Sequence, residues 1–326
     1  MQQARTLAAT MFTAAALVAA PTALAQWTPT KPVDVIVHTG PGGGNDLLAR
    51  AIATMAEKEK LLPVRMNVLN KPGGNGAVAA AALAEKKDDP HTIGLITSVW
   101  IAGPLTTSEA KITVHDLKPV AMLMLEPAVV AVRADSPYKS LKELMEAAKA
   151  KPMSLKQSGG SVTSRDNIFR LQMQHATGGK WAFVSFPGGG ERLAALLGGH
   201  VDFMVIEPQE AGEQVRAGKL RVLAQLTQQR LAGWAEVPTL KEAGYDITTT
   251  PQIRAVVAPP QQSAEASAYW EGRFDALRKT PSWKKYVQDN QLEEHFAPGA
   301  ELKRAMVDIE NQLREQYTAA GIKTVR

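Results

Sequence analysis

The sequence predicts an α/β protein of two lobes, each built on a mostly parallel sheet flanked by helices. Strand-like runs of β-branched and apolar residues alternate with helical segments along most of the chain. Glycine-rich loops follow several of these runs, as they do where a parallel strand leads into a helix. The order is interrupted at Glu126-Pro127 and again before residue 253, where we expect the chain to cross between the lobes.

The first element is a strand over residues 33–37 that runs into a glycine loop and a helix. Five residues of sequence GPGGG, 40–44, forbid regular structure and permit close approach of the backbone. Asn45 and Asp46 are expected to cap the helix, whose apolar residues recur at helical spacing over 47–55. The N-terminus of such a helix offers N–H groups and a positive dipole end, which suit an anion.

The later elements repeat this strand, loop and helix order. Further strands are expected at 64–69, 92–97, 119–132 (two runs), 155–158, 181–186, 201–206, 220–226 and 253–258. Helices are expected at 77–87, from Ser140 to the residue before Pro152, and at 167–176, 193–197, 211–217 and 264–326. Glycine loops at 159–161 and 187–190 end two of the strands, and the sequence predicts that they join the first loop in holding one carboxylate ligand.

The N-terminus predicts an exported protein. Residues 1–25 carry one basic residue, an apolar stretch and the small-residue triplet Ala23-Leu24-Ala25, as signal peptides do, and the alternative is a membrane anchor. There are no cysteines, which excludes a lipid anchor on cysteine, disulfides and thiolate metal sites. We therefore expect a periplasmic protein that is not a lipoprotein. The net charge of +5 is scattered and gives no basis for nucleic-acid binding.

No enzymatic motif is complete in this sequence. The glycine loops lack the Lys-Ser or Lys-Thr of a phosphate loop, and the match to a dinucleotide fingerprint at 74–79 lacks its acidic partner. Ser161 lies in a stretch that is one residue short of a nucleophile elbow, which leaves a serine hydrolase as an alternative. The six histidines show no metal-ligand spacing. The prediction is a protein without catalysis, cofactor or metal.

Hydroxyl groups and arginines remain as candidate ligand contacts. Ser158, Ser161 and Thr163 could donate to carboxylate oxygens, or they could merely cap the next helix. Arg165 and Arg254 could bind a second carboxylate through two parallel hydrogen bonds, or they could lie on the surface. Arg254 is unusual because it falls within an apolar, strand-like run.

The motifs in their order resemble a known family. They run KPVDVIV at 31–37, PGGGNDLLAR at 41–50, NKPGGNG at 70–76, SLKEL at 140–144, SGGS at 158–161, FPGGG at 186–190, LLGGHVD at 196–202, AGKLRVLA at 217–224 and VPTLKEAG at 237–244. This pattern is similar to the extracytoplasmic solute-binding proteins of tripartite tricarboxylate transporters, the Bug family. The resemblance covers nearly all of the chain after the leader.

The resemblance implies a two-lobed Venus-flytrap fold with the ligand cleft between the lobes. Lobe 1 is expected to comprise residues 26–125 and 250–326, and lobe 2 residues 126–249. The family pattern implies that the loops hold one ligand carboxylate, and the matching positions here are Pro41, Gly42, Gly43, Asp46, Ser158, Ser161 and Gly189. Gly188, beside Gly189 in the same loop, is a further candidate. The implied partners are a small carboxylate and the membrane permease subunits of the transporter, with the protein acting as a monomer. A ligand-dependent sensor that docks on a membrane histidine kinase is the other role that the fold allows.

This sequence departs from the common family pattern at the positions expected to contact the far end of the ligand. Arg165 replaces a frequent histidine, Glu207 lies in a changed motif, and Arg254 replaces an apolar or aromatic residue. We expect Arg165 or Arg254 to bind a second carboxylate, and Glu207 to pair with one of them or with an amine.

Overall fold

A computed structural model describes residues 27–161, 163–186, 188–247, 249–250 and 252–325. The predicted signal peptide, 1–25, lies outside the described residues. Two β-sheets with helices on their faces make up the described chain, which confirms the predicted fold class. No helix in these ranges combines the length and the apolar character that crossing a membrane requires.

The larger sheet has six strands in the order β11-β4-β10-β3-β1-β2. Its strands are β1 (Val33–Val37), β2 (Met66–Asn70), β3 (Thr92–Thr97), β4 (Lys118–Glu126), β10 (Gln252–Ala258) and β11 (Glu293–Pro298). β1 pairs in parallel with β2 and β3, whereas β10 is antiparallel to β3 and β4, and β11 is antiparallel to β4.

The smaller sheet has five strands in the order β7-β6-β8-β5-β9. Its strands are β5 (Val129–Arg133), β6 (Lys156–Gly159), β7 (Ala182–Ser185), β8 (Phe203–Ile206) and β9 (Leu220–Gln225). β6 is parallel to β7 and β8, and β5 is antiparallel to β8 and β9. Both sheets are therefore mixed, and the predicted parallel pairing holds for β1 with β2 and β3 and for β6 with β7 and β8.

Ten α-helices cover the faces of the sheets in the described chain. They are α1 (Gly44–Lys58), α2 (Ala77–Ala84), α3 (Val99–Thr106), α4 (Leu141–Ala150), α5 (Arg165–Thr177), α6 (Gly189–Leu197), α7 (Pro208–Arg216), α8 (Ala264–Arg278), α9 (Pro281–Asp289) and α10 (Gly299–Ala319).

Alternation along the strands places a hydrophobic core on each face of each sheet. In β1, Val33, Val35 and Val37 belong to one cluster with α1 and α8, while Ile36 belongs to the opposite cluster with α2, α3 and α10. The smaller sheet is covered in the same way, since Val130 and Val132 of β5 face one cluster and Val129 and Ala131 the other. Packing of the helices against both faces of each sheet holds the loops at the strand ends in position.

The structure departs from the predictions at α1, at α3 and in the C-terminal segment. α1 begins at Gly44 with Gly43 as its cap, and Asn45 and Asp46 are buried in the first turn instead of capping the helix. α3 was not predicted, because Gly103-Pro104 reads as a helix breaker. The segment 264–326 was predicted to be wholly helical, but its residues Glu293–Pro298 form β11, an edge strand that pairs with β4.

Candidate functional site

A cleft of about 380 Å³ lies where loops of the two sheets meet. The first glycine loop reaches it at Gly43 and Gly44, and the loop after β2 reaches it at 73–76. The second sheet contributes Gly160 and the pair Gly188 and Gly189. The three glycine loops predicted to act together therefore line one cleft, together with a fourth loop.

Helix N-termini converge on this cleft. α1, α5 and α6 begin at or beside residues that line it, namely Gly44, Arg165 and Gly189. α7 begins just after Glu207, which also lines it. Because the first N–H groups of a helix lack partners within that helix, the cleft is suited to binding negatively charged oxygens.

Seven of the twelve predicted site residues line the cleft, and five lie outside its wall. The lining residues are Gly43, Ser161, Arg165, Gly188, Gly189, Glu207 and Arg254. Pro41 and Gly42 are exposed and do not line the cleft, and Ser158 is fully buried in β6 with no hydrogen bond to its Oγ from the described residues. Thr163 borders a small neighbouring cavity instead.

Asp46 holds the first glycine loop in place and does not reach the cleft. Its carboxylate accepts hydrogen bonds from the Gly42 N–H at 2.9 Å, from Asn70 Nδ2 at 2.9 Å and from Arg50 Nε at 3.0 Å. Burial by itself raises the pKa of Asp46, but these hydrogen bonds lower it below its ordinary value. The residue therefore positions the loop that the cleft uses.

Replacing Asp46 with alanine is expected to lower the free energy of unfolding by about 2 kcal/mol, because hydrogen bonds to a buried charge are lost. Urea unfolding measures this change. Asp135→Ala is the matched control: its carboxylate is 70% exposed and pairs only with Arg133 among the described residues, so a change within about 0.5 kcal/mol is expected. Equal effects of the two substitutions would contradict the positioning role of Asp46.

Arg254 lies at the floor of the cleft in a buried ion pair. Its guanidinium contacts the carboxylate of Glu126, which is fully buried, and donates to Asn45 Oδ1 at 3.1 Å. The same carboxylate accepts from Gln252 Nε2 at 2.9 Å and from Gln209. Although burial opposes it, Glu126 raises the pKa of Arg254. The predicted arginine is therefore in the cleft, but a carboxylate of the protein already occupies it.

Arg165 is paired in the same way. Its Nη2 lies 2.8 Å from Glu207 Oε1, and its Nη1 donates to the Glu126 carbonyl at 2.9 Å. Burial alone would raise the pKa of Glu207, but Arg165, Arg192 and Arg254 together lower it. Of the two partners predicted for Glu207, an arginine and an amine, the structure shows the arginine.

A third arginine, Arg192, was not predicted. One guanidinium nitrogen lies 2.7 Å from Asp166 Oδ2, and the other lies 3.3 Å from Glu210 Oε2 and 3.5 Å from Glu207 Oε2. Arg192 lies in the first turn of α6, just after the third glycine loop, and this position is the feature that could have marked it as a site residue.

Glu210 brings a carboxylate to the junction of two glycine loops. Its Oε1 accepts a hydrogen bond from the Gly44 N–H at 3.0 Å. A Cβ atom on Gly189 would lie 2.7 Å from Glu210 Oε2, so a larger residue would displace this carboxylate. Burial and the neighbouring Glu207 raise the pKa of Glu210 to about 7, although Arg192 opposes them. Glu210 could have been recognised in the sequence from its position in the first turn of α7, three residues after Glu207.

The raised pKa predicts that Glu210 makes stability depend on pH. An unfolded glutamate loses its proton near 4.5, whereas Glu210 keeps it to about 7 in the folded protein. The stabilisation is therefore complete below about 4.5 and is lost as the pH rises through 7. Melting temperatures between pH 5 and pH 8 are expected to fall more steeply for the wild type than for Glu210→Gln. Glu213→Gln, an exposed position on the same helix, should retain the wild-type slope, and parallel slopes for all three proteins would contradict the prediction.

His38 is a neutral hydrogen-bond donor at the cleft wall. Trp100 Nε1 donates to its Nδ1 at 2.9 Å, and because an indole N–H can only donate, the imidazole proton resides on Nε2. Burial, aided by Arg254, lowers the pKa of His38 to about 3. No motif in the sequence surrounds this histidine.

Ser161 has a hydroxyl as its partner. Its Oγ lies 3.0 Å from Thr163 Oγ1, and no histidine hydrogen-bonds to it among the described residues. The serine-hydrolase alternative needs a base at that position and gains no support from this geometry.

Comparison with protein families matches residues 48–317 to the family described as tripartite tricarboxylate transporter family receptor. A UPF0065 protein of Bordetella bronchiseptica is 29% identical over 95% of this chain and 90% of its own length. Protein BugT of Bordetella pertussis is 30% identical over 76% of each chain.

Solved structures agree with this match. A TctC solute binding protein from Polaromonas is 27% identical, with a TM-score of 0.66 over 89% of this chain and 99% of that one. A Rhodopseudomonas palustris protein solved with adipate is 22% identical and has a TM-score of 0.85 over 90% and 99% of the two chains. MatC of the same organism, solved with malate, is 23% identical and has a TM-score of 0.75 over 90% and 98%. At these sequence identities, the last two structures show that the folds are alike.

Proposed function

Because the chain belongs to the tripartite tricarboxylate transporter family of receptors, which are solute-binding proteins, we propose that it captures a small organic acid in the periplasm and delivers it to a membrane permease. The observation that carries the ligand class is the convergence of helix N-termini and glycine loops on one cleft. Adipate and malate in two proteins of the same fold support a carboxylate.

The proposed mechanism is capture by closure, without bond chemistry. Lobe 1 would comprise residues 26–125 and 250–326, and lobe 2 residues 126–249, so that the chain crosses between them after β4 and before β10. The hydrogen bond from the Gly44 N–H to Glu210 Oε1 joins residues of the two proposed lobes, and closure would bring such contacts together. A ligand that touches both lobes stabilises this form, and the permease would recognise its shape.

A thermal-shift screen tests the ligand class. The protein without its leader is unfolded and refolded to remove bound ligand and is then melted against mono- and dicarboxylates, amino acids, sugars and neutral amides. A ligand at a hundred times its Kd adds about 2.7 kcal/mol of stability, which raises the melting temperature by several degrees. A shift confined to acids is the expected result, whereas a flat response to every acid together with a shift for a neutral solute would overturn the proposal.

A further inference from the structure

We propose that the ligand carries a protonated amino group as well as its carboxylate, and that Glu207 and Glu210 bind this amino group. The inference rests on the function proposed above and names the ligand class within it: amino acids or similar zwitterions, in preference to plain dicarboxylates. Three observations carry it. They are the charge balance of the cleft, the hydrogen-bonding capacity of the two glutamates, and the hydrogen bonds that the N–H groups of the first glycine loop already donate to other groups of the protein.

Each arginine that lines the cleft in the described part of the chain is paired with a carboxylate. Arg254 is paired with Glu126, and Arg165 is paired with Glu207. Arg192 contacts Asp166, Glu207 and Glu210, so that these three arginines face four carboxylates. His38 at the wall is neutral. A dicarboxylate would add two negative charges to a cleft whose arginines already face a larger number of carboxylates, whereas a zwitterion adds no net charge, and burial of unbalanced charge is costly.

The two glutamates have acceptor capacity left in the cleft. Glu207 is only 5% exposed and lines the cleft, yet its Oε2 accepts no hydrogen bond from the described residues. The Arg192 guanidinium is 3.5 Å away from this oxygen. Glu210 accepts one hydrogen bond from Gly44 and a longer one from Arg192, although each carboxylate oxygen can accept two. An ammonium group offers three donors, which these oxygens can accept.

The amides of the first glycine loop are already engaged. The Gly42 N–H donates to Asp46, the Gly43 N–H donates to the Gly40 carbonyl at 3.2 Å, and the Gly44 N–H donates to Glu210. A ligand carboxylate at this loop would compete with Glu210 for the same donor. The N-terminus of α5, where Ser161 and Ser164 line the cleft, offers the carboxylate a place away from the two glutamates.

The charged surroundings of Glu210 give the two ligand classes opposite proton linkages. It faces Arg192 of α6, Glu207 just before its own helix, Glu126 of β4, Arg254 of β10 and the N–H of Gly44 in α1. A cationic amine beside Glu210 favours its ionised form and releases a proton near pH 7. A carboxylate in the same place favours the neutral form and takes a proton up.

Calorimetric titration of the refolded protein near pH 7 tests the inference with four pairs of acids that differ by an amino group: alanine and propionate, aspartate and succinate, glutamate and glutarate, phenylalanine and 3-phenylpropionate. We expect an amino member to bind at least tenfold more tightly than its partner. Repeating the titration in buffers of different ionisation enthalpy should show proton release. Glu210→Gln is expected to reduce the preference at least tenfold, and Glu213→Gln, exposed on the same helix, to leave it unchanged.

Contrary results separate this inference from the proposed function. Plain acids that bind as tightly as their amino partners, with proton uptake, would overturn the inference and leave the function standing. A preference that stays at its wild-type value in Glu210→Gln would do the same, because Glu210 would then take no part in recognising the amino group. Failure of all eight acids to bind would count against both. The comparison of each amino acid with its plain acid in the wild-type protein tests the inference even if Glu210→Gln fails to fold.

Discussion

Replacing Arg254 with methionine is expected to lower the free energy of unfolding by about 3–5 kcal/mol, because a fully buried carboxylate loses its cation. Arg254 and Glu126 are 2% and 0% exposed, and the guanidinium also donates to Asn45. Gln209 and Gln252 would then be the remaining donors to the Glu126 carboxylate. Denaturant unfolding, followed by fluorescence and circular dichroism, measures the loss.

The double variant Arg254→Met with Glu126→Gln separates pairing from packing. A neutral amide at 126 removes the unpaired charge and keeps the residue size, so we expect most of the stability to return. If the double variant lost as much as the two single changes together, the ion pair would not be the source of the effect.

Replacing Gly44 with alanine is expected to weaken ligand binding at least tenfold. A Cβ at this position would lie 2.7 Å from Arg254 Nη2, 2.9 Å from Glu210 Oε1 and 3.0 Å from Gln209 Nε2. Contacts this short force the side chains apart where loops of the two sheets meet, so the closed form is disfavoured. Calorimetric titration with the best ligand measures the loss of affinity.

Gly40→Ala is the matched control for this change. Gly40 belongs to the same loop, and a Cβ there would have no neighbour within 4 Å. Its affinity should stay within about twofold of the wild type. Equal losses for the two variants would indicate general disturbance of the loop and would contradict a specific role for the close contact at Gly44.

Local sequence signals were sufficient for most of the fold. The strands over 33–37 and 92–97 have the predicted bounds, because β-branched and apolar runs with glycine or polar ends define strands clearly. Ser140 accepts a hydrogen bond from the Glu143 N–H, as its capping pattern predicted. β11 was missed because an edge strand with a charged, exposed face lacks an apolar pattern, and its pairing with β4 comes from tertiary contact.

The candidate site was only partly predictable. The glycine loops could be recognised from their composition. Arg254 could be recognised because a charge in an apolar strand requires a partner. The partners could not be predicted in the same way. Glu126 and Glu210 reach Arg254 and Gly44 only when residues more than a hundred positions apart in sequence are brought together. The structure thus shows arginines that are already paired, where the sequence predicted free ligand contacts.

A crystal structure with the most stabilising acid from the screen tests the central claim most directly. The account predicts the ligand in the cleft between the two sheets, in contact with residues of both, such as Gly44 and Arg165. A ligand bound elsewhere would contradict it. The cavity of about 320 Å³ between α1 and the start of β2, lined by Glu57 and Arg65, is one such place.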